Sequence, residues 1–309
     1  MRERTIENMA GGKGHDLKPG SPEFTDSNEA YGSKDNRGFA RTRMATLMAL
    51  FALFCVLQLR AQTPPLAGIA HVAFRVADLD KSRAFYHTLG FEQAFEFADD
   101  GKTSVVFIKI NDDQFIELYP RTGDSEPLGL AHVCFETNAL EALRADYLRH
   151  GLKPSEIEKG RAGNLLFDLL DFEGRLLEYT QYLPGSLHSM DHGKHLEGDR
   201  ISQHLLEAAI PVRNIAAARR FYATKLRFEP SNPGGVKLRL PGNSEDQIEL
   251  ASAFATKTAR ITFAVENTEH TATNLHRRGF KVRADANSVS ISDPNGPLIV
   301  FREVQGRKR

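Results

Sequence analysis

Cysteine is nearly absent from this chain of 309 residues, with Cys55 and Cys134 the only two, and tryptophan does not occur at all. A disulfide framework is thereby excluded, and so is a zinc site built on cysteines. An excess of charge is missing too, since 40 Lys and Arg balance 40 Asp and Glu. No bulk field recruits nucleic acid or an anionic membrane surface. The apolar run from Met44 to Leu57 stops short of the roughly 20 residues that span a bilayer, so no stable membrane anchor is expected. What is present is 41% hydrophobic residues in a mixed α/β pattern, enough to bury a core in two domains.

Residues 1–43 are rich in Gly, Ser, Asn and charge and lack apolar periodicity. That is the composition of a disordered extension or of an over-called start. Arg41 and Arg43, the apolar run and Ala61 ahead of Gln62-Thr-Pro-Pro65 then form a signal peptide over 44–61, cleaved after about Ala61. The expectation is an exported protein, periplasmic or extracellular. A buried helix is the competing reading of the run, and a true start at Met44 would remove both arginines. Cys55 would leave with the signal, and Leu53-Phe54 before it lack the small residues of a lipoprotein anchor.

Four segments then share one layout of strand, Asp- or Asn-marked turn, helix and further strands. The first runs Ile69-Ala-His-Val-Ala-Phe-Arg-Val76, turns at Asp78, and passes through Phe85-Tyr86 to Leu89-Gly-Phe-Glu92. The second begins Leu130-Ala-His-Val-Cys-Phe135 and turns at Asn138, with its helix from Ala139 to His150. The third begins Leu205-Leu-Glu-Ala-Ala-Ile-Pro-Val212, turns at Asn214 and repeats the aromatic pair at Phe221-Tyr222. The fourth begins Arg260-Ile-Thr-Phe-Ala-Val265. Asp and Asn cap such helices, and Gly supplies the left-handed exit. Hairpins follow, ending in Phe115-Ile-Glu-Leu118, Leu176-Leu-Glu-Tyr-Thr180, Gln247-Ile-Glu-Leu250 and Leu298-Ile-Val-Phe301. A βαβββ unit of roughly 60 residues cannot close a core alone, so four units imply two paired domains.

From Leu66 to Val304 this layout resembles the vicinal oxygen chelate superfamily, which holds glyoxalase I, extradiol dioxygenases and bleomycin-resistance proteins. The resemblance implies an α+β fold of two domains, each of paired βαβββ modules forming an open cup-shaped mixed sheet. The domains would be 66–183, with a metal site, and 205–304, degenerate. A linker over 184–204 would join them, and 305–309 would be a basic tail.

Strand parity agrees with such a cup. Ala70, Val72, Phe74 and Val76 form an apolar face, leaving His71 and Arg75 opposite; Val133 and Phe135 likewise leave His132 opposite. Superfamily ligands stand on the first and last strands of each unit. His71, Glu117, His132 and Glu178 match those positions as two His–Glu pairs of nearly equal spacing, a set that resembles bacterial glyoxalase I. It implies a divalent metal (Ni, Zn, Fe(II) or Mn), with Glu178 or Glu117 as the catalytic base. In the second half Glu207 replaces His71, Glu249 matches Glu117, and Ile261 and Val300 are aligned with His132 and Glu178. That half alone would hold no metal.

Some relatives exchange units. If units one and two paired with four and three, His71 and Glu117 would face Ile261 and Val300, and His132 and Glu178 would meet Glu207 and Glu249. Pairing one with two, or exchange between two chains of a homodimer, keeps the quartet whole.

Arg75 matches an arginine that glyoxalase I uses for its substrate's carboxylate. Arg121 stands where that enzyme has Asn, a departure that argues against glutathione, as does export. Both are the candidate substrate-binding residues. The expected function is a glyoxalase-like isomerase or lyase on a small dicarbonyl or hydroxy-carbonyl molecule. The alternatives are an Fe(II) extradiol dioxygenase using His71, His132 and Glu178, and a non-catalytic ligand-binding or resistance protein. His188, Asp191, His192 and His195 in the linker form a solvated connector or a flap over the cup, with a second metal site as the minor reading.

Overall fold

The computed structural model describes Met48 and residues 63–304, apart from 198, 232–234, 243–244, 254–258 and 296. The extension over 1–43, the segment 44–61 other than Met48, and the tail over 305–309 lie outside the described residues. Thr63 to Val304 fall within one compact unit. No described helix is long and apolar enough to cross a membrane.

Each sequence repeat becomes a βαβββ module. The first holds β1 (Gly68–Val76), α1 (Leu79–Thr88), β2 (Gln93–Asp99), β3 (Lys102–Lys109) and β4 (Phe115–Pro120). The second holds β5 (Gly129–Glu136), α2 (Leu140–Arg149), β6 (Glu158–Lys159), β7 (Leu165–Leu170) and β8 (Leu176–Gln181). A short helix, α3 (Leu187–Met190), lies in the connection. The third module holds β9 (Leu205–Val212), α4 (Ile215–Thr224), β10 (Glu229–Pro230), β11 (Lys237–Arg239) and β12 (Gln247–Ser252). The fourth holds β13 (Arg260–Val265), α5 (Thr268–Arg277), β14 (Arg283–Asp285), β15 (Ser288–Ser292) and β16 (Leu298–Glu303).

The carboxylate or amide of Asp78, Asn214 and Asn267 accepts a backbone N–H in the first turn of its helix, as the turn pattern predicts. Helix α2 departs from it. Asn138 is not its cap; Thr137 Oγ1 accepts from the Ala139 N–H instead, at 3.2 Å. Gly90, which follows α1, has φ of +85° and passes so close to Asp199 that a Cβ would stand 2.5 Å from its carbonyl oxygen. Only a residue without a Cβ fits there.

Modules one and two form an eight-stranded sheet ordered β2-β3-β4-β1-β5-β8-β7-β6, and modules three and four repeat it as β10-β11-β12-β9-β13-β16-β15-β14. Each sheet curls into an open half-barrel. Pairing is therefore one with two and three with four, inside one chain. The two sheets share one apolar core: Phe91 stacks on Phe263 at 5.2 Å and Phe135 meets Phe228 edge-on at 5.4 Å. Each such fully buried side chain contributes about 1.5–3 kcal/mol. A smaller cluster of Val105, Phe107 and Phe115, with Phe95, Phe97, Tyr119 and Tyr182 against it, lies apart from that core. Phe107 is the cross-strand partner of Glu117, so this cluster belongs to the opposite, concave face.

Candidate metal centre

Register brings the predicted ligands together. Ala73 of β1 is the cross-strand partner of Glu117 on β4 and of His132 on β5, while Cys134 partners both His71 and Glu178. Partners and residues two apart share a face, so all four side chains rise from one side of the sheet. His71 Nε2 is the meeting point. It lies 3.0 Å from His132 Nε2, 3.4 Å from Glu117 Oε1 and 3.6 Å from Glu178 Oε1. His132 Nε2 is 3.7 Å from Glu117 Oε2, which accepts the Tyr119 hydroxyl at 2.8 Å.

Burial governs the protonation of this group. It pushes the Glu117 carboxyl up to about 8, reinforced by Glu178 and opposed by the Tyr119 hydrogen bond. It pushes Glu178 up to about 7, with the Cys134 thiol opposing and Asp168 and Glu158 adding to the rise. His71 is held well below the usual imidazole value by burial and by His132 and His188, and His132 falls to about 4 through burial and Arg75. His71, Glu117 and His132 offer donor atoms within 4.8 Å of one another, and Glu178 joins His71 in a second such group with Cys134. Two neutral imidazoles beside two carboxyls are donor types that suit a divalent cation.

Residues 70–166 match the family model described as Glyoxalase/Bleomycin resistance protein/Dioxygenase superfamily. The Mn(II)-bound glyoxalase from Novosphingobium aromaticivorans is similar over 77% of this chain and 82% of its own, with TM-score 0.61 and 15% identity. The 2,3-dioxygenase LapB from Pseudomonas sp. KL28 is similar over 78% of this chain and 93% of its own, at TM-score 0.59 and 16% identity. An extradiol ring-cleaving dioxygenase from B. fuscum is similar over 80% of this chain and 74% of its own, at TM-score 0.57 and 14% identity. This chain has the vicinal oxygen chelate fold. No curated protein sequence matches it. At these identities the likeness is one of fold, and the chemistry must come from the residues.

The second vicinal oxygen chelate cup supplies an internal control. Thr262 partners Glu207 and Arg260 partners Ala209, as Cys134 partners His71 and His132 partners Ala73. The residue in place of His132 is thus Arg260, which corrects the alignment with Ile261. Ile261 partners Ala208 as Val133 partners Val72, and it is buried in the core. Here the carboxylates have protein cations. Arg302 and Lys237 pair with Glu207 at 2.8 and 2.9 Å, and Arg260 pairs with Glu249. Burial would raise the Glu207 carboxyl, but hydrogen bonds from Arg302 and Lys237 outweigh it and hold the group at about 2. In the first cup, among the described residues, no Lys or Arg forms an ion pair with Glu117 or Glu178. A divalent cation would cancel their two charges, and the donor types fit one.

A cavity of about 330 Å³ opens onto His71, Glu117 and Glu178, a volume suited to a small molecule. Its other walls include Phe97, Phe107, Tyr119, Tyr182, Arg161 and His188. Neither Arg75 nor Arg121 is among them. Arg75 lies 3.6 Å from Glu126, and Arg121 lies 3.6 Å from Asp124. The arginine at the cavity is Arg161, stacked over Phe97 at 4.6 Å and paired with Asp99 at 3.0 Å.

The linker is folded against the first cup. Buried Lys109 binds Asp191 at 2.8 Å and Asp112 at 2.9 Å, and His195 Nδ1 meets Asp191 at 2.6 Å. Its histidines do not gather into a ligand cluster among the described residues: His195 faces Asp191, His192 faces Asp112, and His188 turns into the aromatic wall. Sequence reasoning missed Tyr119, Tyr182 and Arg161. The alternation Phe95, Phe97 and Val105, Phe107 was the signal for an apolar concave wall.

Proposed function

We propose that this chain is a divalent-metal-dependent isomerase or lyase, glyoxalase-like, acting on a small dicarbonyl or hydroxy-carbonyl substrate. The observation that carries this is the convergence of His132, Glu117 and Glu178 on His71 Nε2, within 3.6 Å. Two imidazoles and two carboxylates suit Ni, Zn, Fe(II) or Mn and leave about two of six octahedral positions for a substrate's vicinal oxygens. A metal held there supplies Lewis-acid polarisation of those oxygens. The chain supplies the proton chemistry. Glu178, the more exposed of the two carboxyls, takes a proton from the carbon beside one carbonyl and returns it to the neighbouring carbon. Proton affinities near neutrality suit both carboxyls to that task. Glu117, tethered by Tyr119, stays in place.

A second reading rests on the tightest two-histidine, one-carboxylate group. His71, His132 and Glu117 offer donor atoms within 4.8 Å of one another, the donor types of an Fe(II) ring-cleaving dioxygenase, although the sequence pattern assigns Glu178 to that set. Two assays separate them. Isomerisation of a methylglyoxal hemithioacetal by Ni(II)- or Zn(II)-loaded protein supports the first reading; oxygen uptake with catechols under Fe(II) supports the second. Neither activity, with metal bound, would sink both. We also infer export from the segment 44–61; a mature N-terminus away from Gln62 would count against that cleavage.

A further inference from the structure

Arg161 is the only Lys or Arg among the described residues that line the cavity of the first cup, and its side chain is 53% exposed. It rides on the tight turn between β6 and β7. There the Gly160 N–H donates to the Asn164 carbonyl at 2.8 Å and the Gly163 N–H to the Gly160 carbonyl at 2.9 Å. The Leu187 N–H donates to the Ala162 carbonyl at 2.7 Å and pins the turn to α3. From this seat the side chain crosses the mouth of the cup. Strands β2 and β6 are opposite edges of the sheet, yet Arg161 meets Ala98, Asp99 and Ser104 of the β2–β3 hairpin.

The guanidinium is oriented without being used up. Nη1 donates to the Asp99 carboxylate at 3.0 Å and to the Ser104 hydroxyl at 3.3 Å, and Nη2 donates to the Ala98 carbonyl at 3.4 Å. Its face lies 4.6 Å from the centre of the Phe97 ring. The Nε–H and the second Nη2 hydrogen are left without a protein partner among the described residues. A planar guanidinium held by its face, with donors to spare, is suited to a carboxylate. No second Lys or Arg lines the cavity to match the two charges of a phosphate.

The sheet register sets the separation from the metal donors. Phe97 is the cross-strand partner of Val105, which stands two residues from Phe107, the partner of Glu117. Two strands and two residues amount to about 12 Å along the sheet. The wall between is apolar, formed by Val105 and Phe107.

We propose that Arg161 is the specificity-determining residue of the first cup and that the substrate is an acid. Its vicinal oxygens meet the metal donors, its apolar body lies along Val105 and Phe107, and its carboxylate reaches Arg161 at the mouth. The assignment rests on the metal-dependent reading above.

The test uses full-length, Zn(II)-loaded protein and probes that chelate through the vicinal oxygens of a hydroxamate. These are acetohydroxamate and the monohydroxamates of adipic and suberic acid, each acid beside its ω-amide, which has the shape of the carboxylate without its charge. Calorimetric titration of the wild type should show about tenfold preference for at least one acid over its amide, the worth of a charge-assisted hydrogen bond at a half-exposed site. Arg161→Gln should lose that preference. Arg83→Gln removes a cation paired with Glu96 outside the cavity and should keep it, and all three proteins should bind acetohydroxamate alike. Equal binding of acids and amides by the wild type, an undiminished preference in Arg161→Gln, or its loss in Arg83→Gln overturns the inference. The metal reading survives each of these if acetohydroxamate binds, whereas failure of every hydroxamate to bind overturns both. If Arg161→Gln does not fold, the ¹⁵Nε resonance of Arg161 in the Zn(II)-loaded wild type decides. It should shift with the acids and not with the amides; no shift overturns the inference.

Discussion

Metal binding to the first cup should expel protons, because its carboxyls hold them near neutrality. Burial and their mutual repulsion raise both carboxyls toward neutrality, so the pair holds on the order of one proton at pH 7. His132 and His71, pushed below the usual imidazole range, are already neutral and release none. Coordination requires both carboxylates ionised, so about one proton should leave per metal at pH 7. Affinity should then rise about tenfold per pH unit near neutrality and flatten at higher pH, where release falls toward zero. The assay is titration of metal-free protein with Mn(II) in two buffers of different ionisation enthalpy, from pH 6 to 8.5. Release below about 0.3 proton at pH 7, with flat affinity across the range, would refute the burial argument.

Further outcomes follow from the rest of the fold. Lys109→Met removes one of the two basic partners of the buried Asp191 carboxylate, leaving His195, and should cost about 3 kcal/mol in denaturant unfolding; a loss under about 1 kcal/mol would show the linker anchor to be unimportant. Gly90→Ala forces a side chain into a positive-φ site against the Asp199 carbonyl and should destabilise by about 1–3 kcal/mol, whereas unchanged stability would contradict that close approach. Glu207 has a folded-state value of about 2, depressed below the ordinary 4.5, so its contribution is complete above the unfolded value. It is lost as pH falls from 4.5 through 2, and is worth about 3 kcal/mol. The stability gap between wild type and Glu207→Gln should shrink by that amount over the window, and a constant gap would refute it.

The four metal-ligand candidates were legible because two local regularities coincide: a repeat that recurs down the chain, and a period of two that assigns each residue to a face. His71 sits between the core residues Ala70 and Val72, and His132 between half-buried Ala131 and the core residue Val133, as that alternation requires. The same rule, applied strictly, separates Ile261 from His132, since Ile261 has core parity; counting along the repeat without it gives the wrong partner. Which modules pair is a long-range choice that no local pattern carries, and it is settled by β1 joining β5 in one sheet. His188 lies in a segment outside the repeat, so nothing local marks its side chain as turned into the cavity. Its position depends on Lys109, a charge buried in a strand some 80 residues earlier.

Elemental analysis of the purified chain, with the wild type set beside His71→Ala and His132→Ala, decides whether His71, Glu117, His132 and Glu178 hold one divalent metal ion. One equivalent of a first-row metal in the wild type, lost from both variants, is the predicted result. A wild type that neither carries nor takes up metal, or variants that keep a full equivalent, would contradict it.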